Sequence, residues 1–549
     1  MVPILVLRAI VLGALVSAAG CSLRGDPTAQ SAAQSVTGVV ENASGQPVAG
    51  ALVRLQGTTT TALSGNDGRY RLEVRPDVGA RHITAWKEGY YIGGIPLVSG
   101  RARQRIQLKP LPPGDNPDYR WISARRPAHG SASDESAKPC ETCHLKDAFP
   151  VVREWESSAH ARAAINPFFL AFFNGGGRDI PLLPQLGYRL DFPRSAGNCA
   201  QCHVPALALR RPYDADPNHA AGVERDGVLC DLCHKVRQVE VDTAGGRAGV
   251  LSMTFARPPQ GEQLFIGPFD DVFPGPDTFN PLYKDSRYCA GCHHGVLWGV
   301  LAYGEFAEWR ASAYAESGVH CQNCHMKPDG MTQRVAVESE GAIRRHPDTI
   351  ATHAFPGRDD AAFMRSGLTV ESDARIESGG ERLRVRVTLR NTGAGHHVPT
   401  GNPMRNLVLL VDAVDGKSER LDLLEGSRVP GWGGEGPIEL GNYAGLPGKG
   451  YAKVLSTPVA YPADRSFDDG RVPIYPAPHW RRIVVESDNR LPAGGEDGTE
   501  YVFRLSPGMN KAEVRVRLLH RRTFRSWLDP QARPEGDLIL ADRAFSLRP

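Results

Sequence analysis

From Arg382 to Leu389 the chain runs R-L-R-V-R-V-T-L, alternating polar and apolar residues, and period-two runs return at Leu407 to Val414 and Ala512 to Leu519. Alternation puts the apolar side chains on one face of an extended segment. With Gly-rich turns between them, these runs predict a β-sandwich over residues 366–549. A smaller sandwich is predicted over 36–110. There Val36 to Val40, Ala51 to Leu55, Tyr70 to Val74 and Ile83 to Trp86 form short β-rich runs separated by Gly, Pro, Asn and Asp turns. Residues 111–136, with Pro112-Pro113-Gly114 and a Ser/Ala/Asp-rich run, read as a linker. Residues 1–20 are apolar apart from Arg8 and Ser17 and end in Ala18-Ala19-Gly20 before Cys21, which is the pattern of an export signal.

Residues 137–365 are organised by a motif. C-x-x-C-H occurs at Cys140/Cys143/His144, Cys199/Cys202/His203, Cys230/Cys233/His234, Cys289/Cys292/His293 and Cys321/Cys324/His325. Two thiols at this spacing can add across the two vinyl groups of a haem, which leaves the adjacent histidine to coordinate the iron from one face. Each motif therefore predicts a covalent haem c, with these ten cysteines as attachment points and His144, His203, His234, His293 and His325 as proximal ligands. Zinc cages of paired C-x-x-C would not explain a histidine after all five pairs. A disulfide scaffold belongs to much shorter chains. Residues 140–325 allow about 37 residues for each haem, too few for an apolar core around every cofactor. The haems are expected to form much of the core themselves, in a mainly helical and loop multihaem domain with little strand, flanked by the two β-sandwiches.

Of the 11 cysteines only Cys21 lies outside the motifs. The Ala18-Ala19-Gly20-Cys21 junction resembles a bacterial lipoprotein cleavage site, which implies lipidation of Cys21, with 1–20 removed and 21–35 left as a short tether. The alternative is an uncleaved membrane helix. Either places the body of the protein outside the cytoplasm, where haem is attached to such motifs in bacteria. Ser22 after Cys21 favours the outer membrane. A net charge of +3 argues against a nucleic-acid partner.

The stretch V-T-G-V-V-E-N-A-S-G-Q-P-V-A-G-A-L-V-R-L, followed by N-D-G-R-Y-R-L and K-E-G-Y, resembles the carboxypeptidase regulatory-like domain, a prealbumin-like sandwich without catalytic groups. The haem segment contains an internal repeat: Glu154-Trp155-Glu156-Ser157-Ser158-Ala159-His160-Ala161 against Glu308-Trp309-Arg310-Ala311-Ser312-Ala313-Tyr314-Ala315. The W-x-x-S-x-H element between motifs resembles the cytochrome c-554 and hydroxylamine oxidoreductase group. In that group its histidine is the distal ligand of a neighbouring haem, which implies that role for His160. His353 in T-H-A-F-P-G and His396 in N-T-G-A-G-H-H-V-P-T-G sit in strings that resemble segments following haem motifs in related cytochromes, and they are distal candidates. His294, His219, His320 and His346 are further candidates. His82, His129, His479 and His520 read as ordinary surface or core histidines.

Two functions follow. The first is an exported pentahaem cytochrome passing electrons between redox partner proteins, anchored to a membrane by lipid, with no catalytic side chain. The second is a multihaem oxidoreductase acting on a small nitrogen or sulfur compound at an open iron. Tyr314 is the residue to watch in that case, because the repeat puts a histidine at its equivalent.

Overall fold

The computed structural model describes residues 34–548 apart from 75–80, 99–103, 126–137, 146, 177–179, 242–246, 338–341, 458–473, 508, 510 and 534–535. The export signal, Cys21 and His129 lie outside the described residues. None of the described helices is long and apolar enough to cross a membrane.

At the N-terminal end, strand Gln34–Asn42 pairs antiparallel with Arg69–Val74 and parallel with Gln104–Leu108. The facing sheet runs Thr61–Leu63, Leu52–Leu55, His82–Trp86, Gly93–Pro96. Strict alternation along Arg69–Val74 buries Tyr70, Leu72 and Val74, which close on Val40, Val53, Leu55, Ile83 and Ile106. The domain is fastened to the haem segment by a two-pronged Arg54–Asp270 pair at 2.7 and 2.8 Å and by Gln56 donating to the carbonyls of Asp271 and Phe273. Residues 111–125, expected as linker, instead lie against the haem segment. Trp121 and Ala124 are buried in its apolar cluster, and the Asp231 carboxylate accepts from the Tyr119 hydroxyl and the Ile122 N–H. Apolar and aromatic side chains within the stretch outweigh its Pro-Gly opening.

The C-terminal region forms two sheets around one core. One runs Leu368–Ile376, Arg382–Asn391, Glu496–Arg504, Leu423–Glu425. The other runs Val484–Asp488, Gly448–Ser456, Asn406–Asp415, Ala512–Arg521, Leu538–Leu547. Leu383, Val385, Val387 and Leu389 from the first meet Leu407, Leu409, Val411, Val516 and Leu518 from the second, all fully buried. Each such side chain contributes about 1.5–3 kcal/mol. Strand Asn406–Asp415 is buried on both faces. Its other side, Val408 and Leu410, packs with Phe172, Leu182, Leu186, Trp432, Phe524 and Trp527, so the sandwich and the haem segment share an apolar cluster.

The expectation of a mainly helical multihaem domain is overturned. The chain is 21% helix and 31% strand, with many sheets. No described helix exceeds eight residues, and the haem segment carries three two-stranded sheets: Val236–Val239 with Met253–Phe255, Phe265–Gly267 with Asp277–Phe279, and Gly295–Leu297 with Val300–Tyr303. The longest helix, Pro167–Asn174, shows why. Asn166 caps its first N–H groups, and Gly175, at φ 87°, ends it two turns later. Helices this short are unstable alone, and here tertiary contacts hold them.

Candidate haem centre

Each C-x-x-C-H forms about one helical turn. Cys140–Thr142, Ala200–His203, Cys230–Cys233, Arg287–His293 and Cys321–His325 are short helices, and the N–H groups of His144, His203 and His234 donate to the carbonyls of Cys140, Cys199 and Cys230. One turn brings side chains three residues apart onto a common face, which is what two-point attachment of a flat macrocycle requires. No disulfide links any of the ten motif cysteines, and Cys324 alone among them is exposed.

Cys143, like Cys199 at the N-cap of Ala200–His203, is a motif cysteine at a helix cap. It lies outside its helix, at the C-cap of Cys140–Thr142 with φ −100° and ψ −36°, and that helix is a single 3₁₀ turn. The Cys143 N–H donates to the Cys140 carbonyl at 3.2 Å, and its own carbonyl accepts the Val337 N–H at 3.2 Å. Val337 thus takes the carbonyl at which the turn ends. A 3₁₀ turn still stacks residues three apart, so Cys140 and Cys143 keep a common side for one haem.

All five motif histidines engage an oxygen acceptor through Nδ1: the carbonyls of Val335 for His144 (2.8 Å), Ala163 for His203 (3.4 Å), Ile266 for His234 (2.8 Å) and Pro356 for His325 (2.8 Å), and the Glu305 carboxylate for His293 (3.3 Å). An occupied Nδ1 fixes the tautomer and leaves Nε2 for a metal. The fourth motif differs because its acceptor carries charge.

The thiols also show how the motifs neighbour one another. Cys140 meets Cys230, Cys202 meets Cys292, and Cys289 meets Cys321, while Cys233 lies within electrostatic reach of Cys292. The first motif thus adjoins the third and the third the fourth, and the second and fifth both adjoin the fourth. Sequence order does not reveal this branching.

Two other histidines face motif histidines across a fixed gap. The ring centres of His160 and His293 are 6.3 Å apart, as are those of His396 and His325. An imidazole nitrogen lies about 2 Å from a bound metal and about 1.1 Å from its own ring centre, so two rings on opposite sides of one ion have centres about 6.2 Å apart. The observed separations fit a pair of axial ligands on one iron. His353 is half-buried within electrostatic reach of His234 and His144, and its Nδ1 has no hydrogen-bond partner. Burial, together with neighbouring imidazoles, pushes His160 and His353 down to about 3, so both are neutral at ordinary pH, the state that binds iron. Among the described residues no group of three or more His, Cys, Asp or Glu forms a self-sufficient metal cage. The residues fit haem, which needs single side chains above and below a plane.

The remaining candidates scatter. His294 is buried edge-on to Phe306 at 6.0 Å. His320 accepts through Nδ1 from Ser286 at 3.2 Å and packs on Trp309. His219 is exposed, and His346 lies at the surface beside Asp348. The Tyr314 ring packs against Gly395, next to His396, and its exposed hydroxyl donates to the Thr392 carbonyl at 3.4 Å.

Two residues escaped the sequence. His479 is half-buried within electrostatic reach of His203, and desolvation pushes it down to about 4. Its Nε2 is 2.7 Å from the Tyr303 hydroxyl, which lies within electrostatic reach of Cys199 and Cys202. The setting P-A-P-H-W is a poor strand pattern inside a β-rich region, and that was the available signal for His479. Tyr303 had none.

Residues 35–109 match the carboxypeptidase regulatory-like domain. This family accounts for the N-terminal sandwich and reaches none of the motifs. Among solved structures, the penta-heme cytochrome c552 from Thermochromatium tepidum shares 19% identity with the chain at a TM-score of 0.50, covering 74% of this chain and 97% of that one. At that identity the likeness concerns fold alone. No curated protein matches the chain.

Proposed function

We infer that this chain is a pentahaem c-type cytochrome that carries electrons between redox partner proteins. The observation that carries the reading is the pair of 6.3 Å imidazole separations, His160 to His293 and His396 to His325, beside five motif histidines whose Nδ1 atoms are all engaged. Bound haem would supply one-electron redox chemistry. The protein supplies attachment, axial nitrogen and exclusion of water. Contact between motifs one and three, three and four, and four with both two and five supports a branched electron path with the fourth at its hub. The lipoprotein-like junction at Cys21 supports export and a lipid anchor, with the outer membrane as its place.

A second reading is favoured at one point only. Beside His203, the hydrogen-bonded Tyr303 and His479 form a half-buried polar pair, which a small substrate on an iron would need for proton delivery. That supports an oxidoreductase of the hydroxylamine oxidoreductase type, acting on a small nitrogen or sulfur compound. Electron paramagnetic resonance of the oxidised protein, after mass spectrometry has established five covalent haems, separates the two. The carrier predicts low-spin signals that nitrite, hydroxylamine and cyanide leave unchanged. A high-spin signal that these ligands shift, and that Tyr303→Phe alters, would overturn the carrier in favour of the enzyme.

A further inference from the structure

The internal repeat is repeated in its contacts. The indole N–H of Trp155 donates to the Val228 carbonyl at 2.9 Å, and that of Trp309 to the Val319 carbonyl at 2.8 Å. Both carbonyls lie two residues before the first cysteine of a motif, Cys230 and Cys321. Ser158 and Ser312 each return a hydroxyl to the carbonyl of their own tryptophan at 2.7 Å. The N–H of Val228 donates to the His160 carbonyl and that of Val319 to the Tyr314 carbonyl, at 3.0 and 2.9 Å. Main chains therefore superimpose in role even where the side chains diverge from His160 to Tyr314.

The glutamate before each tryptophan reaches the other way. Glu154 Oε2 accepts the backbone N–H of His353 at 2.7 Å. Glu308 Oε2 accepts the N–H of His397, next to His396, at 3.2 Å and the Thr400 hydroxyl at 2.6 Å, while Oε1 takes Arg490 at 2.7 Å. The segment held by Glu154 carries His353, and Trp155 beside it grips the entry to the motif that ends in His234. The segment held by Glu308 carries His396, which faces His325 at 6.3 Å. In the second half the tryptophan thus grips the chain entering one motif and its glutamate the segment bearing the histidine opposite that motif, and the first half repeats both grips.

We propose that each Glu-Trp pair is an axial clamp: Glu154 and Trp155 set the distance between His353 and His234, and Glu308 and Trp309 that between His396 and His325. Both are positioning residues that touch no iron. The proposal rests on the axial-pair reading above, and it assigns His353 to the third motif rather than the first. In each half one short helix carries both grips. A charged acceptor on a backbone N–H is a stronger tether than a neutral one, and Glu308 is also buried, so that releasing it strands a polar group away from water.

The test uses the mature full-length protein with five haems and reads ferric spin state. In Glu154→Ala one of the five haems turns high-spin and returns to low-spin on addition of imidazole, whereas Glu154→Gln, which keeps an acceptor oxygen, stays low-spin throughout. His353→Ala gives the same single high-spin haem as Glu154→Ala. A high-spin haem in His353→Ala together with an all-low-spin Glu154→Ala overturns the clamp and leaves the axial pair standing. An all-low-spin His353→Ala overturns the pair on which the clamp rests. If Glu154→Ala fails to mature with five haems, Glu154→Asp, which draws the acceptor back by one methylene, is read in its place with the same two outcomes.

Discussion

The C-terminal sandwich and the haem segment are built by opposite means. In the sandwich, strands of nine and ten residues bury one apolar face after another, with Leu383, Val385, Leu407, Leu409 and Val516 fully enclosed. In the haem segment helices end after one or two turns, and its apolar cluster is drawn partly from alanines: Ala161, Ala164, Ala200, Ala206 and Ala208. Buried carboxylates fasten it instead. Asp231 takes Tyr119, Ile122 and Lys235, Asp191 takes Trp480 and Arg481, and Glu308 takes Arg490 and Thr400. A core made of side chains rewards long regular elements, because every added residue buries its own area. A core expected to be made of cofactor rewards short ones, each presenting a motif turn or a histidine at the required place.

The most severe way to test this contrast is to produce the chain without haem attachment. Hydrogen exchange should then show residues 137–365 losing protection almost entirely, while strands Arg382–Asn391 and Asn406–Asp415 stay protected. Equal loss in both regions would break the comparison. A smaller effect runs the other way. Leu409→Ala opens a cavity in the sandwich and should cost about 2–5 kcal/mol in denaturant unfolding with the haem absorption spectrum unchanged. A spectral change would mean that the two cores act as one.

Glu308 sharpens the comparison at the seam. Burial works to raise its carboxyl, but His397, Arg490 and Thr400 outweigh burial and hold it well below the usual carboxylate value of 4.5. A depressed folded value means the anion's contribution is present above about pH 4.5 and is lost as pH falls below that toward the folded value. Glu308→Gln should therefore be less stable than wild type by about 2 kcal/mol at neutral pH, Arg490 keeping Asp488 as partner. The gap should close in acid. Thermal unfolding of both proteins across pH checks this, and a gap that widened in acid would contradict the assigned charge.

Legibility in the sequence followed the range of the interaction. Alternation at Arg382 to Leu389 and at Tyr70 to Val74 predicted buried faces because period two is set by the backbone of the strand itself. The C-x-x-C-H motifs were readable because two thiols and an imidazole within one turn need no distant partner. That Cys143 closes a 3₁₀ turn instead of continuing a helix was not readable, because the N–H that takes its carbonyl belongs to Val337. The balance of helix and strand between motifs was misjudged, since the small sheets such as Gly295–Leu297 with Val300–Tyr303 have no long alternating run to reveal them. Tyr314 was flagged from its place in the repeat, yet its ring turns toward Gly395, a contact 81 residues away in sequence about which the repeat says nothing.

By itself, the sequence determined which atoms can bind covalently, which histidines adjoin them and which strands have a face to bury, because those properties are fixed within a few residues. Tertiary structure alone decided that His160 faces His293 and His396 faces His325, that the fourth motif touches three others, and that His479 and Tyr303 meet beside His203. The paired histidines and the His479–Tyr303 contact join residues 71 to 176 positions apart, and no local rule of spacing carries that far. The His396–His325 and His479–Tyr303 contacts were settled by how a β-sandwich, rigid because its core is full, packs its loops against the haem segment, and the His160–His293 contact by how that segment folds on itself.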